Sequence, residues 1–288
     1  MGVLRYWLSI IRIYNLIFTV VIQLFYFLIL SHYKIINDYF PITFIVIITF
    51  CFGGFTYIIN DFFDIETDKI NKPEQLIVGK YISLKNAIIG GVIFFTIGFL
   101  LSIILSFYLH SIFWICQYLI ICIISYLYSF LFKKLFLIGN LIVSIICAYV
   151  VLLVYLLYFN FALYNIFTNN KLAYLLFFSF IYTLIREIVK DIEDRVGDES
   201  IGSKTLPIIL GENFTKLVLY LIILISNCIL INFVNNNLIF SCLIGILICI
   251  NLILIAKIYY AKNQKNYHSI STIMKYTMVI GLISTYWV

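Results

Sequence analysis

The chain of 288 residues is 64% hydrophobic and 11% charged, with 19 Lys and Arg against 13 Asp and Glu, a net charge of +6 and a mean hydropathy of +1.10. A soluble domain carries about 25% charged residues, so this composition excludes an ordinary globular enzyme and predicts a polytopic integral membrane protein. The positive charge needs no nucleic-acid partner, because membrane topology accounts for it.

Residues 1–12 place Arg5 and Arg12 among apolar residues and are expected to lie along the membrane surface. The first apolar run is long enough to span, and no small-residue cleavage site follows it, so a cleavable signal is not expected. Nine spans follow, at 13–31, 41–60, 87–107, 112–132, 138–160, 171–189, 214–234, 238–260 and 270–287. Each approaches the roughly 20 residues that cross about 30 Å of hydrocarbon. Helices are the expected element, since lipid leaves no water for backbone groups, and the runs lack the polar alternation of barrel strands. One nine-helix bundle, a single domain over 1–288, is the expected fold. Trp7, Trp114 and Trp287 fall near the predicted interfaces.

Sixteen of the 19 basic residues fall at the N-terminus or in loops after even-numbered spans. Lys34 and Lys171 lie on the other side and Lys275 inside the last span. Basic residues favour the cytoplasmic side, which predicts a cytoplasmic N-terminus and even loops. All seven cysteines lie in apolar runs without a CxxC pair, so neither disulfides nor a thiolate-held metal is inferred.

The acids have no such topological explanation. Asp61, Asp64, Glu66, Asp68 and Glu74 follow the second span, and Glu187, Asp191, Glu193, Asp194, Asp198, Glu199 and Glu212 follow the sixth. Only Asp38 lies elsewhere. Asp61, Asp64 and Asp68 are spaced by three and then four, as are Asp191, Asp194 and Asp198. On a helix this spacing makes one face, joined at i−4 by Asn60 and Glu187. Three carboxylates on one face repel unless cations are present, and Mg²⁺ suits a site of oxygen ligands, waters and substrate phosphates. His32, His110 and His268 fall outside both clusters, which argues against zinc. Lys69, Lys72, Lys80, Lys133, Lys134, Arg186, Lys190 and Lys204 share the acidic side. Carboxylates, a hard cation and lysines together make a diphosphate site. Lys204 lies in GSKTLPIILG, which lacks P-loop spacing.

NDFFDIETD (60–68) and DRVGD (194–198), the latter preceded by REIVKD, form a pair that resembles the UbiA superfamily of intramembrane prenyltransferases. YSFLFKKLFLIGN (128–140) is similar to that family's Tyr/Lys segment, and the likeness covers nearly the whole chain. The resemblance implies a nine-helix bundle that uses Mg²⁺ and an isoprenyl diphosphate. It implies metal positions at Asn60, Asp64, Asp68, Asp191, Asp194 and Asp198, with Asp61 matching the second letter of the first motif. Asp64, Asp68, Asp191 and Asp198 are the implied catalytic carboxylates. Lys72, Tyr128, Lys133, Arg186, Lys190 and Lys204 are the implied substrate contacts. Tyr57, Tyr126, Tyr128 and Tyr182 are candidates to face an allylic cation. One departure is that Gln75 and Leu76 stand where many members have Arg-Pro.

The likeness is greatest to the geranylgeranylglycerol-phosphate geranylgeranyltransferase branch. It implies prenyl transfer to a lipophilic acceptor at a bacterial or archaeal plasma membrane, with the site facing the cytoplasm and no required protein partner. Aromatic-ring prenylation in quinone or haem O synthesis is the alternative within the class, and a divalent-cation transporter is the alternative outside it. The DGxxAR-type motif of CDP-alcohol phosphotransferases is absent.

Overall fold

The computed structural model describes residues 2–31, 39–159 and 170–288. His32, Lys34 and Asp38 lie outside the described residues. Within them the regular structure is helical and contains no strand. The helices are α1 (Gly2–Ile10), α2 (Ile13–Ser31), α3 (Phe40–Phe63), α4 (Ile65–Asn71), α5 (Leu84–Tyr108), α6 (Phe113–Phe130) and α7 (Ile138–Tyr158). They continue with α8 (Asn170–Glu193), α9 (Arg195–Ser200), α10 (Leu206–Ile209), α11 (Gly211–Asn232), α12 (Leu238–Tyr260) and α13 (Gln264–Ser284). Eight of them, α2, α3, α5, α6, α7, α8, α11 and α12, are long and apolar enough to cross a membrane. The predicted ninth span corresponds to α13. It has the length, but Gln264, Lys265, Asn266, His268 and Lys275 make it too polar to join that set.

Side-chain caps begin three of the long helices. Ser83 accepts from the Asn86 amide, Asn237 from Phe240 and Asn263 from Asn266, each satisfying a first-turn N–H that has no helical partner.

The described residues form two compact units, those within 1–133 and 153–160 and those within 134–152 and 161–288. In the first, α3 packs chiefly on α5 and also meets α2 and α6. Close approach relies on small residues, as is usual where lipid tails are as apolar as the side chains they replace. A Cβ on Gly90 of α5 would fall 2.5 Å from the Trp7 ring, so the glycine is what seats α1 against α5. Ile10, Ile11, Leu16, Ile58, Val78, Ile82 and Ala87 make the apolar cluster here. Val78 and Ile82 bring the 72–83 loop into that cluster through a turn at Gly79, whose φ of +86° suits glycine.

In the second unit α8 packs on α13 and α11, and α12 packs on α11 and α13. A Cβ on Gly281 of α13 would fall 2.1 Å from the Phe178 ring of α8. Polar groups inside this unit pair with one another, as groups shielded from water must. Tyr182 Oη–H donates to Asn251 Oδ1 at 3.0 Å, and Asn251 Nδ2 donates to Asn227 Oδ1 at 2.6 Å, linking α8, α12 and α11.

Candidate active site

The helices carrying the acids run further than their apolar stretches. Helix α3 continues to Phe63 and α8 to Glu193, so Asn60, Asp61, Lys190 and Asp191 are all helical. The three carboxylates of each motif do not ride one uninterrupted helix, as their spacing predicts. Each motif is bent at its middle aspartate. Asp64 (φ −90°, ψ 0°) joins α3 to α4, and Asp194 (φ −97°, ψ 6°) joins α8 to α9. Backbone hydrogen bonds persist on either side of each break. The Asp64 amide donates to Asn60 O at 2.9 Å and that of Asp68 to Asp64 O at 2.8 Å. The Asp194 amide likewise donates to Lys190 O at 2.8 Å and that of Asp198 to Asp194 O at 3.1 Å. The repeated spacing is therefore a repeated structure, with Asp61, Asp64 and Asp68 in the same backbone positions as Asp191, Asp194 and Asp198.

In the first unit Asn60 Nδ2 donates to Asp64 Oδ2 at 2.6 Å, while Lys133 Nζ donates to Asp64 Oδ1. Lys133 and Asp64 are mostly shielded, at 13% and 22% exposure. Arg12 Nη2 donates to Asp61 Oδ1 at 2.9 Å, and its guanidinium lies 4.8 Å from the centre of the Tyr57 ring. Asp68 sits one turn beyond Asp64, and its carbonyl accepts the Lys72 amide at 2.9 Å. Tyr128 is half-buried on α6. Lys69 pairs with Glu66 on the surface, and Lys80 lies over the neighbouring Tyr81 ring.

In the second unit Asn140 Nδ2, near the start of α7, donates to Asp191 Oδ2 at 2.8 Å. Glu187 is buried and takes both neighbouring cations: Arg186 Nη1 donates to it at 2.8 Å and Lys190 Nζ at 3.0 Å. The Ser203 amide donates to Asp198 O at 3.0 Å, and that of Lys204 donates to Lys134 O at 2.7 Å, so the segment after the motif is fixed through its backbone.

The remaining acids of the group after the sixth span are engaged elsewhere. Glu193 meets His268 at 3.1 Å, Glu199 lies 4.0 Å from Arg195, and Glu212 pairs with Lys216 at 3.0 Å and accepts from Tyr267 Oη at 2.6 Å. His268 thus reaches one acid of the sixth-span group, but one outside the repeated triplet. Tyr182 is a packing residue, stacked 4.1 Å from Phe178 with its hydroxyl on Asn251. Tyr126 is exposed beside Phe63 and Phe130. Sequence reasoning did not pick out Arg12 or Asn140. The available signal for Asn140 was a single amide in the otherwise apolar run LFLIGNLIV.

Among the described residues no three His, Cys, Asp or Glu side chains converge closely enough to hold a metal alone. The donors nevertheless suit a hard cation that takes one or two carboxylates and completes its shell with water and phosphate oxygen. Asn60 Oδ1 is buried and has no hydrogen-bond partner among the described residues, so an oxygen donor is left for a ligand beside Asp64.

The model of the UbiA prenyltransferase family matches residues 16–279. The chain belongs to this family. It is a prenyltransferase. Among curated relatives of this UbiA protein, the digeranylgeranylglyceryl phosphate synthase of Sulfurisphaera tokodaii is 34% identical over 241 residues, covering 83% of this chain and 82% of the relative. The synthase of the same name from Methanosphaera stadtmanae is 34% identical over 233 residues, with 78% and 79% covered. A solved structure from work on digeranylgeranylglyceryl phosphate synthase in membranes aligns over 99% of this chain and 98% of its own, with TM-score 0.65 and 25% identity. A UbiA homologue from Archaeoglobus fulgidus, bound to GPP and Mg²⁺, shares the fold at TM-score 0.60 and 14% identity, with 97% and 99% covered.

Proposed function

We propose that the chain carries out Mg²⁺-dependent transfer of a prenyl group from an isoprenyl diphosphate to a lipophilic acceptor, with geranylgeranyl transfer to a geranylgeranylglycerol-phosphate-like lipid as the specific reaction. The reading rests on one observation above others: the three-then-four aspartate triplet occurs twice, bent at the same residue each time and flanked by basic side chains. Family membership selects prenyl transfer over the cation-transporter alternative, and relatives named for digeranylgeranylglyceryl phosphate synthesis favour this acceptor.

In this reading residues 1–288 act as one domain, with α13 as the ninth span. The N-terminus and both acidic motifs face the cytoplasm of a bacterial or archaeal cell at its plasma membrane. Asn60, Asp64, Asp68, Asp191, Asp194 and Asp198 would supply the oxygens that hold Mg²⁺, with Asp61, the second letter of the first motif, beside them. Bound Mg²⁺ supplies positive charge to the diphosphate oxygens and so favours their departure. Lys72, Lys133, Arg186, Lys190 and Lys204 contact the remaining phosphate oxygens, and Tyr128 contributes to the substrate pocket. These donors stabilise charge that builds on the leaving group as the allylic C–O bond breaks. The apolar helices exclude water, which would otherwise capture the prenyl cation. No protein partner is required.

The test is to incubate membranes carrying the protein with radiolabelled geranylgeranyl diphosphate and Mg²⁺, offering geranylgeranylglyceryl phosphate, 4-hydroxybenzoate or dihydroxynaphthoate separately. Label is expected in the glycerol-phosphate lipid. Label in an aromatic acceptor alone overturns the acceptor assignment, and unchanged transfer by Asp64→Ala or Asp191→Ala overturns the site.

A further inference from the structure

The second and seventh helices begin alike. Residues 13–17 read IYNLI and residues 138–142 read IGNLI. Each is preceded by a non-glycine residue in the left-handed region, Arg12 at φ +50° and Leu137 at φ +57°. Four residues after each asparagine, a hydroxyl bonds back to its carbonyl: Thr19 Oγ1 donates to Asn15 O at 3.0 Å and Ser144 Oγ to Asn140 O at 2.6 Å. Each helix is followed by an acidic helix bent at its middle aspartate, α2 by α3 and α7 by α8. The helix start and the motif it serves are thus a unit that occurs twice in the chain.

Within each copy, the first turn reaches the same carboxylate, the one three residues before the bend. In the first copy the turn residue Arg12 binds Asp61 at 2.9 Å. In the second copy the turn residue is Leu137, which has no charge to offer, and Asn140 binds Asp191 at 2.8 Å instead. The geometry matches but the charge does not. A guanidinium neutralises its carboxylate, whereas an amide orients one oxygen and leaves the negative charge in place.

We infer that Arg12 and Asn140 are paired positioning residues with unequal consequences: Asn140 presents Asp191 to the cation, and Arg12 withdraws Asp61 from it into a structural ion pair. The inference builds on the reading of the motifs as a Mg²⁺ site and divides labour between two aspartates that the spacing alone makes equivalent. Outer carboxylate partners of this kind typically change metal affinity about 10–100-fold when lost.

The test uses the full chain purified in detergent, with Mn²⁺ as the paramagnetic stand-in for Mg²⁺ and inorganic pyrophosphate present. Free Mn²⁺ is read by electron paramagnetic resonance, and folding by thermal melting. Asn140→Leu, which removes the amide while keeping much of its shape, is expected to raise the Mn²⁺ Kd about tenfold. Asn140→Arg, which installs the first copy's charge on Asp191, is expected to raise it at least as much. Arg12→Gln is expected to leave the Kd within about twofold while lowering the melting temperature. Asn140 variants that bind Mn²⁺ like the unaltered protein overturn the inference, as does an Arg12→Gln loss equal to theirs. If Asn140→Arg does not fold, the Asn140→Leu result decides. An unaltered protein that binds no Mn²⁺ overturns the metal reading itself, and this inference with it.

Discussion

Replacing Lys133 by Met separates the observed role of this side chain, its bond to Asp64, from its proposed role at the diphosphate. Lys133 and Asp64 are 13% and 22% exposed, and Asp64 keeps one further donor, Asn60 Nδ2 at 2.6 Å. A hydrogen bond to a charged group contributes about 1.5–3 kcal/mol. Because both side chains are mostly shielded and Asn60 remains, the metal-free protein should lose about 2 kcal/mol, near the middle of that range. For a chain of this size that is a fall of about 5 °C in melting temperature. With Mg²⁺ and pyrophosphate at saturation, a cation again neutralises Asp64, and the deficit should shrink to about half. Prenyl transfer should fall about tenfold even at saturating Mg²⁺, because the proposed donor to the leaving group is gone. The assay is differential scanning fluorimetry in detergent with and without Mg²⁺ and pyrophosphate, followed by turnover. A metal-free melting temperature within about 1 °C of the unaltered protein, or a deficit that does not change with metal, refutes the reasoning.

Glu187→Leu removes the carboxylate shared by Arg186 and Lys190, so the two cations repel and lose their fixed positions; the KM for the prenyl diphosphate should rise about tenfold, and a KM unchanged in steady-state assays contradicts this. Asn251→Leu strands the Tyr182 hydroxyl and the Asn227 carbonyl in a dry interior and should cost about 1–2 kcal/mol, read as a lower melting temperature that Tyr182→Phe partly restores. Gly281→Val drives a side chain into the Phe178 ring, where even a Cβ would come within 2.1 Å, and should cost about 2 kcal/mol or more as measured by thermal unfolding.

Apolar run length located the spans well: α2 and α12 begin and end within a residue of 13–31 and 238–260. It stopped too early at the acidic ends of α3 and α8. A helix needs local backbone bonds rather than apolar side chains, and it continued through Asp61 in α3 and through Asp191 in α8. The triplet spacing was legible because a periodic signal survives a local break between two helical segments. Arg12 and Asn140 were not legible as partners of Asp61 and Asp191. They reach across 49 and 51 residues of chain, and a single polar residue at a helix start has many possible duties. Glu187 was placed on the stripe by its spacing, but its hold on Arg186 and Lys190 depends on side-chain directions that spacing does not give.

The bond between Asn251 and Asn227 also bears on how the chain enters the bilayer. Each asparagine is costly for an isolated helix facing lipid, and only five residues, 233–237, separate α11 from α12. Released one at a time from the insertion machinery, the two helices would each expose a bare amide to hydrocarbon. Released as a hairpin, they cover each other's polar group at once, and Asn251 then docks on Tyr182 of α8, which was synthesised earlier. The polar pairing therefore favours insertion of α11 and α12 together as a hairpin, before they dock on α8.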